Sequence, residues 1–136
     1  MLSVGDEFPQ FDLMGVDSKN EFVNVTRLNI ADKWGVVYFY PKDFTFICPT
    51  EIAAMDKLTD HCTVIGISGD NEFCKLAWKQ ENKLIGDIEH TIAADCGLYL
   101  SEKLGIVDHR NGVCYRATFI VDPNKKIQHV TINALD

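Results

Sequence analysis

The chain contains no apolar run approaching the ~18–20 residues of a membrane-spanning helix, so a spanning protein is not expected. It has no run of Lys or Arg either. The longest basic patch is Lys125-Lys126, at a turn. With a net charge of −7 and a pI of about 5.0, a general nucleic-acid binder is not expected. The opening MLSVGDEFPQF lacks the basic and long apolar regions of a secretory signal. C-x-x-C and H-x3-5-H pairs are missing, which argues against a zinc site. His61-Cys62 is the one tight His/Cys pair, and adjacent side chains on a helix point apart. The five cysteines (Cys48, Cys62, Cys74, Cys96 and Cys114) are odd in number and irregularly spaced. A disulfide framework is not expected, and a reducing cytoplasm is the expected compartment. There is no linker, repeat or low-complexity segment. At 136 residues the chain reads as a single domain, 1–136, large enough for one core.

The remaining pattern alternates strands and helices. Residues 11–13 and 21–25 read as short strands, with a turn from Gly15 to Asn20. Val36-Val37-Tyr38-Phe39-Tyr40 is apolar and β-prone, a core strand over 35–40. Ile52 to Leu58 reads as a helix. Thr63 to Ser68 is the next strand, and residues 71–83 follow as a helix with Phe73, Leu76 and Ala77 on one face. Thr91 to Ala94 is a short strand, and Asp95 caps a helix ending near Gly105. Residues 116–121 and 126–132 form a hairpin around Asp122-Pro123-Asn124. Strands 35–40 and 63–68, separated by a helix, should pair in parallel. The expected fold class is α/β, thioredoxin-like, with a mixed central sheet flanked by helices on both faces.

The chemistry concentrates in PKDFTFICPTE, residues 41–51. Pro41, Thr45 and Cys48 fall in a P-x-x-x-T-x-x-C spacing, where a strand hands over to a helix. Helix starts present N–H donors and partial positive charge, which favour an anion. A thiol there can drop from about 8.5 toward roughly 3.5–7.5 and become a nucleophilic thiolate. Pro49 suits the first helical position. Glu51 sits in the first turn or reaches back to an N–H as in a capping box. Either Cys48 holds the cap position, or Thr45 caps and Cys48 lies in the first turn. Thr45 occupies the place of the partner cysteine in a C-x-x-C enzyme. It is an ordinary cap, or its hydroxyl serves the thiolate or a substrate oxygen. Arg116, heading RATFIVD, is a solvated strand end or an inward-facing cation.

PKDFTFICPTE resembles the active-site loop of the peroxiredoxins, in the alkyl hydroperoxide reductase C / thiol-specific antioxidant branch. YRATFIVDP resembles that branch's second signature, and the similarity runs from GDEFPQFDL to the final hairpin. The resemblance implies a thiol peroxidase acting on hydrogen peroxide and small alkyl hydroperoxides. Cys48 would be the attacking thiolate, oxidised to sulfenic acid. Thr45 and Arg116 would donate hydrogen bonds, Pro41 would shield the site from water, and Glu51 would hold the arginine. Sulfur carries the redox change, so no metal or organic cofactor is implied. A thioredoxin-like or dedicated disulfide reductase is the implied electron donor, and a homodimer or a decameric ring the implied assembly. The branch places its resolving cysteine in a C-terminal tail. The chain ends at Asp136, before that point, so a truncated chain or an unseen tail is expected, with a one-cysteine enzyme as the alternative. KLIGDIE, residues 83–89, lacks the GGLG loop of members sensitive to over-oxidation, which implies relative robustness.

The other four cysteines read as inert, with Cys62 and Cys74 in helical patterns. Trp34 and Trp78 read as packing or interface groups. His90, His109 and His129 read as surface residues without a partner. A thioredoxin-type reductase would need cysteine at 45, and a redox-signalling or chaperone-like scaffold would need no reactive thiol.

Overall fold

The computed structural model describes residues 2–44 and 49–133. The elements in chain order are β1 (Asp12–Val16), β2 (Phe22–Thr26), β3 (Gly35–Phe39), α1 (Pro49–Met55), β4 (Thr63–Ser68), α2 (Glu72–Glu81), α3 (Lys83–Gly86), β5 (Thr91–Ala94), α4 (Tyr99–Leu104), β6 (Val107–Asp108), β7 (Val113–Cys114), β8 (Arg116–Val121) and β9 (Ile127–Asn133). Seven strands form one sheet in the order β2-β1-β5-β4-β3-β8-β9, and β6 and β7 pair separately. β3, β4 and β5 run parallel, with antiparallel strands added at both sides.

Every residue of β3 is buried, as a strand covered on both faces requires. Successive side chains point to opposite faces. Val37 and Phe39 join a core with Phe8, Ile65, Ile67, Phe119, Leu100 and Leu104, so α4 covers that face. Val36 and Tyr38 join Ile52, Val64, Trp78 and Ile85, so α1, α2 and α3 cover the other. The expected α/β class, with a mixed sheet and helices on both faces, is what the chain adopts.

Three local expectations are corrected. β1 continues through Gly15 to Val16, and the turn is confined to Asp17–Asn20, where the Asn20 N–H donates to the Asp17 carbonyl at 3.1 Å. The helix expected over 71–83 breaks at Asn82, which is extended. Its side chain accepts from the N–H groups of Leu84 and Ile85 and starts α3, the capping role for which Asn competes with the helix interior. The fully buried face of α2 is Lys75, Trp78 and Lys79; of the expected apolar face, Leu76 packs partly buried against the core, whereas Phe73 does not. Phe73 is exposed and meets Phe22 edge-on, centroids 5.2 Å apart. The two lysines go inward because each ammonium finds fixed acceptors below the helix, which no periodicity rule registers.

Candidate functional site

β3 ends under Tyr40, whose N–H still bonds the Ile67 carbonyl at 3.0 Å. The chain then leaves the sheet through Pro41, which is buried. Thr45 and Cys48 lie outside the described residues. The description resumes at Pro49, the first residue of α1, with Glu51 in its first turn. That agrees with the expected place of proline at a helix start.

Arg116 arrives from the far end of the sequence. β8 pairs with β3 through Phe39–Ala117, so Arg116, one residue further, emerges level with the end of β3. Its Nη1 stands 3.7 Å from Glu51 Oε2, with the arginine side chain 30% and the glutamate 54% exposed. The guanidinium is therefore half-buried, not turned out to bulk water. An exposed pair of this length contributes under ~1 kcal/mol, so its value is positional. Glu51 and Arg116 line a cleft of about 180 Å³ together with Tyr38, Phe39, Met55, Ala117, Thr118 and Asn133. Pro41 lines a separate cleft of about 340 Å³ with Gly69, Asp70 and Val113. The structure thus brings Glu51 and Arg116 together, while Pro41 lines a different cleft.

The four described cysteines are free thiols, and all are held away from the thiolate form. Burial raises Cys62 and Cys96. Burial, with the Asp43 and Asp70 charges, pushes Cys74 up to about 11. Burial pushes Cys114 up to about 12, and its Sγ donates to the Tyr40 carbonyl at 3.1 Å. Cys62 is half-buried but lies just past the short 3-10 turn Asp56–Asp60, not in a helix.

Two buried polar networks escaped the sequence reading. Asp56 accepts the N–H groups of Glu89 and His90 and contacts His90 Nδ1 at 2.7 Å. With that nitrogen donating to the carboxylate, Nε2 is left to accept from the Tyr38 hydroxyl at 2.6 Å. His90 is thus buried and partnered, contrary to expectation. His109 stands 3.4 Å from Glu102, and His129 contacts Thr131 at 2.6 Å, so these exposed imidazoles have partners too. The second network joins Asp43, Ser68 and Lys75. The one sequence signal for it was a pair of lysines flanking Trp78 on a single helical face. Oxygen and sulfur atoms of Asp43, Asp70 and Cys74 also lie within 4.8 Å of one another, but the Lys75 ammonium already neutralises Asp43. A metal ion there would have to displace it.

Comparison with known proteins places these segments in one framework. Residues 4–130 match the AhpC/TSA family. The chain is 37% identical over 150 residues to alkyl hydroperoxide reductase C of Mycolicibacterium smegmatis, covering 98% of this chain and 76% of the relative. It superposes on Enterococcus faecalis AhpC with a TM-score of 0.92 at 32% identity, covering 98% of this chain and 83% of that one. On the reduced 2-Cys peroxiredoxin of Plasmodium vivax the TM-score is 0.90 at 33% identity, covering 99% and 88%. Matching sequence along nearly its whole length and sharing the fold of these enzymes, the chain belongs to the AhpC/TSA family of peroxiredoxins.

Proposed function

We propose that Cys48 is the peroxide-reducing sulfur of this thiol-dependent peroxidase, served by Thr45, Arg116, Pro41 and Glu51. The observation that carries the assignment is the Glu51–Arg116 contact at 3.7 Å. It joins the two signature segments, 65 residues apart in the chain, immediately beside the start of α1. The raised thiols of the other four cysteines favour Cys48 by contrast.

In the proposed reaction the Cys48 thiolate attacks one peroxide oxygen. An S–O bond forms as the O–O bond breaks, and the sulfur gives up two electrons. The departing oxygen takes the electron pair, then a proton, and leaves as water or an alcohol. Charge builds on that oxygen in the transition state, so fixed donors aimed at it accelerate the step. Arg116, the Thr45 hydroxyl and the N–H groups opening α1 are the donors available. Glu51 orients the guanidinium, and buried Pro41 restricts water. Cys48 ends as sulfenic acid, which a second thiol condenses to a disulfide with loss of water. A thioredoxin-like or dedicated disulfide reductase returns it to the thiol.

The substrates proposed are hydrogen peroxide and small alkyl hydroperoxides. The whole chain, 1–136, is proposed to act as a single domain, supported by two cores packed on opposite faces of one sheet. A homodimer, or a decameric ring built from it, and a cytoplasmic setting complete the reading. Among the described residues no helix is long and apolar enough to cross a membrane. Peroxide consumption by wild type and Cys48→Ser tests the assignment. The variant should lose essentially all activity, and equal rates would refute it.

A further inference from the structure

We infer that Lys75 is a positioning residue for the peroxidase reaction, holding Asp43 and offsetting its charge within the loop that carries Cys48. The inference rests on Cys48 being the reactive sulfur. Lys75 Nζ lies 3.2 and 3.3 Å from the two Asp43 carboxylate oxygens, 2.6 Å from Ser68 Oγ and 3.0 Å from the Asp70 carbonyl. Both charged side chains are 0% exposed. The Ser68 hydroxyl donates to Asp43 Oδ1 at 2.9 Å, and the Asp43 N–H donates to Asp70 Oδ2 at 2.7 Å. All three ammonium protons therefore have acceptors, and the loop backbone is tied at the same residue.

The next residue, Phe44, has a φ of 68°, a conformation that an aromatic residue keeps only when its surroundings impose it. Its ring packs on Trp78, centroids 5.8 Å apart. Lys75 and Trp78 are neighbours on one face of α2, so that helix grips two consecutive residues of the loop. A buried ion pair contributes little net stability compared with apolar packing of equal volume. Its effect belongs to geometry and charge. Removing Lys75 would leave a carboxylate exerting its charge inside the β3–α1 connection, five residues before Cys48. The ionisable groups facing this ammonium are Asp43, Asp70, Tyr40, Cys74, Cys96 and Cys114.

The test is peptide-resolved alkylation of Cys48 against pH in the full protein, alongside peroxide rate constants, for wild type, Lys75→Met and Asp43→Asn. K75M should move the Cys48 midpoint up by about 0.5 pH or more, the direction in which an uncompensated carboxylate acts on a thiolate. D43N, which leaves the opposite charge, should hold it or move it down. A purely structural role would shift both the same way, so movement in the same direction, or in neither, overturns the inference. Should K75M fail to fold, D43N/K75M keeps the site neutral. It should lose about tenfold or more in peroxide rate constant while its midpoint stays near wild type, and an unchanged rate constant overturns the inference. A wild-type Cys48 that titrates like a free thiol would instead remove the underlying peroxidase assignment, and this inference with it.

Discussion

At the residue scale, Arg116 differs from the chain's lysines in what its shape allows. A guanidinium offers a planar fork of donors, so it can face Glu51 with one edge and a bound oxygen with another. A lysine offers a point charge. Arg116→Lys should therefore lower the second-order rate constant for hydrogen peroxide by roughly a hundredfold with little change in melting temperature. A stopped-flow rate equal to wild type would remove Arg116 from the mechanism. Thiol selectivity is the companion test. With Cys74 near 11 and Cys114 near 12, limiting iodoacetamide at pH 7 should label Cys48 before all others. Peptide mapping that finds Cys96, which is exposed, labelled equally fast would contradict a specially activated sulfur.

At the scale of elements, Gly66 shows how one strand makes room for its neighbour. It pairs with Tyr38 across the parallel β3–β4 ladder. A Cβ on Gly66 would lie 2.4 Å from the Tyr38 ring. The ring lies across that space and delivers its hydroxyl to His90. Gly66→Ala should destabilise the fold by about 1–3 kcal/mol, the usual range for overpacking a tight core. It should also disturb the Tyr38–His90 contact. Denaturant unfolding with an unchanged midpoint would show that the ring can move aside at no cost.

At the scale of the whole molecule, acid sensitivity has an identifiable source. His90 is the buried histidine among four, and burial holds its imidazole below the ordinary range despite the pull of Asp56. In the unfolded chain it titrates near ~6.5. Below that pH the unfolded state binds a proton that the folded state resists, so stability falls as pH drops through about 6.5 toward the lowered folded value. Melting temperature should decline from pH 7 to 5, and His90→Gln should flatten that decline. An identical slope in wild type and variant would assign the acid effect to other groups. The two cores share one sheet, so unfolding should be a single transition by fluorescence and circular dichroism alike. Two resolved transitions would argue against one domain.

Much of this was legible in order along the chain. An unbroken apolar run announced β3, because a strand buried on both faces needs no polar alternation. Pro49 marked the start of α1, and Asp122-Pro123-Asn124 marked the last hairpin. These are local signals, set by backbone geometry and near-neighbour sterics, and the P-x-x-x-T-x-x-C spacing with its later arginine belongs with them. What stayed hidden depends on distant partners. Phe73, Leu76 and Ala77 read as one apolar face, yet Lys75 and Lys79 took the buried face with Trp78 because Asp43, Ser68 and the Asp17 carbonyl receive them there. His90 looked like a surface residue until Asp56 and Tyr38, 34 and 52 positions away, enclosed it. Sequence alone therefore determined the family and the main alternation of strands and helices, since each is written in contiguous residues, and it nominated the segment proposed to react. Only the tertiary structure decided which charges go inside, because burying a charge is tolerable only where several remote groups converge to solvate it.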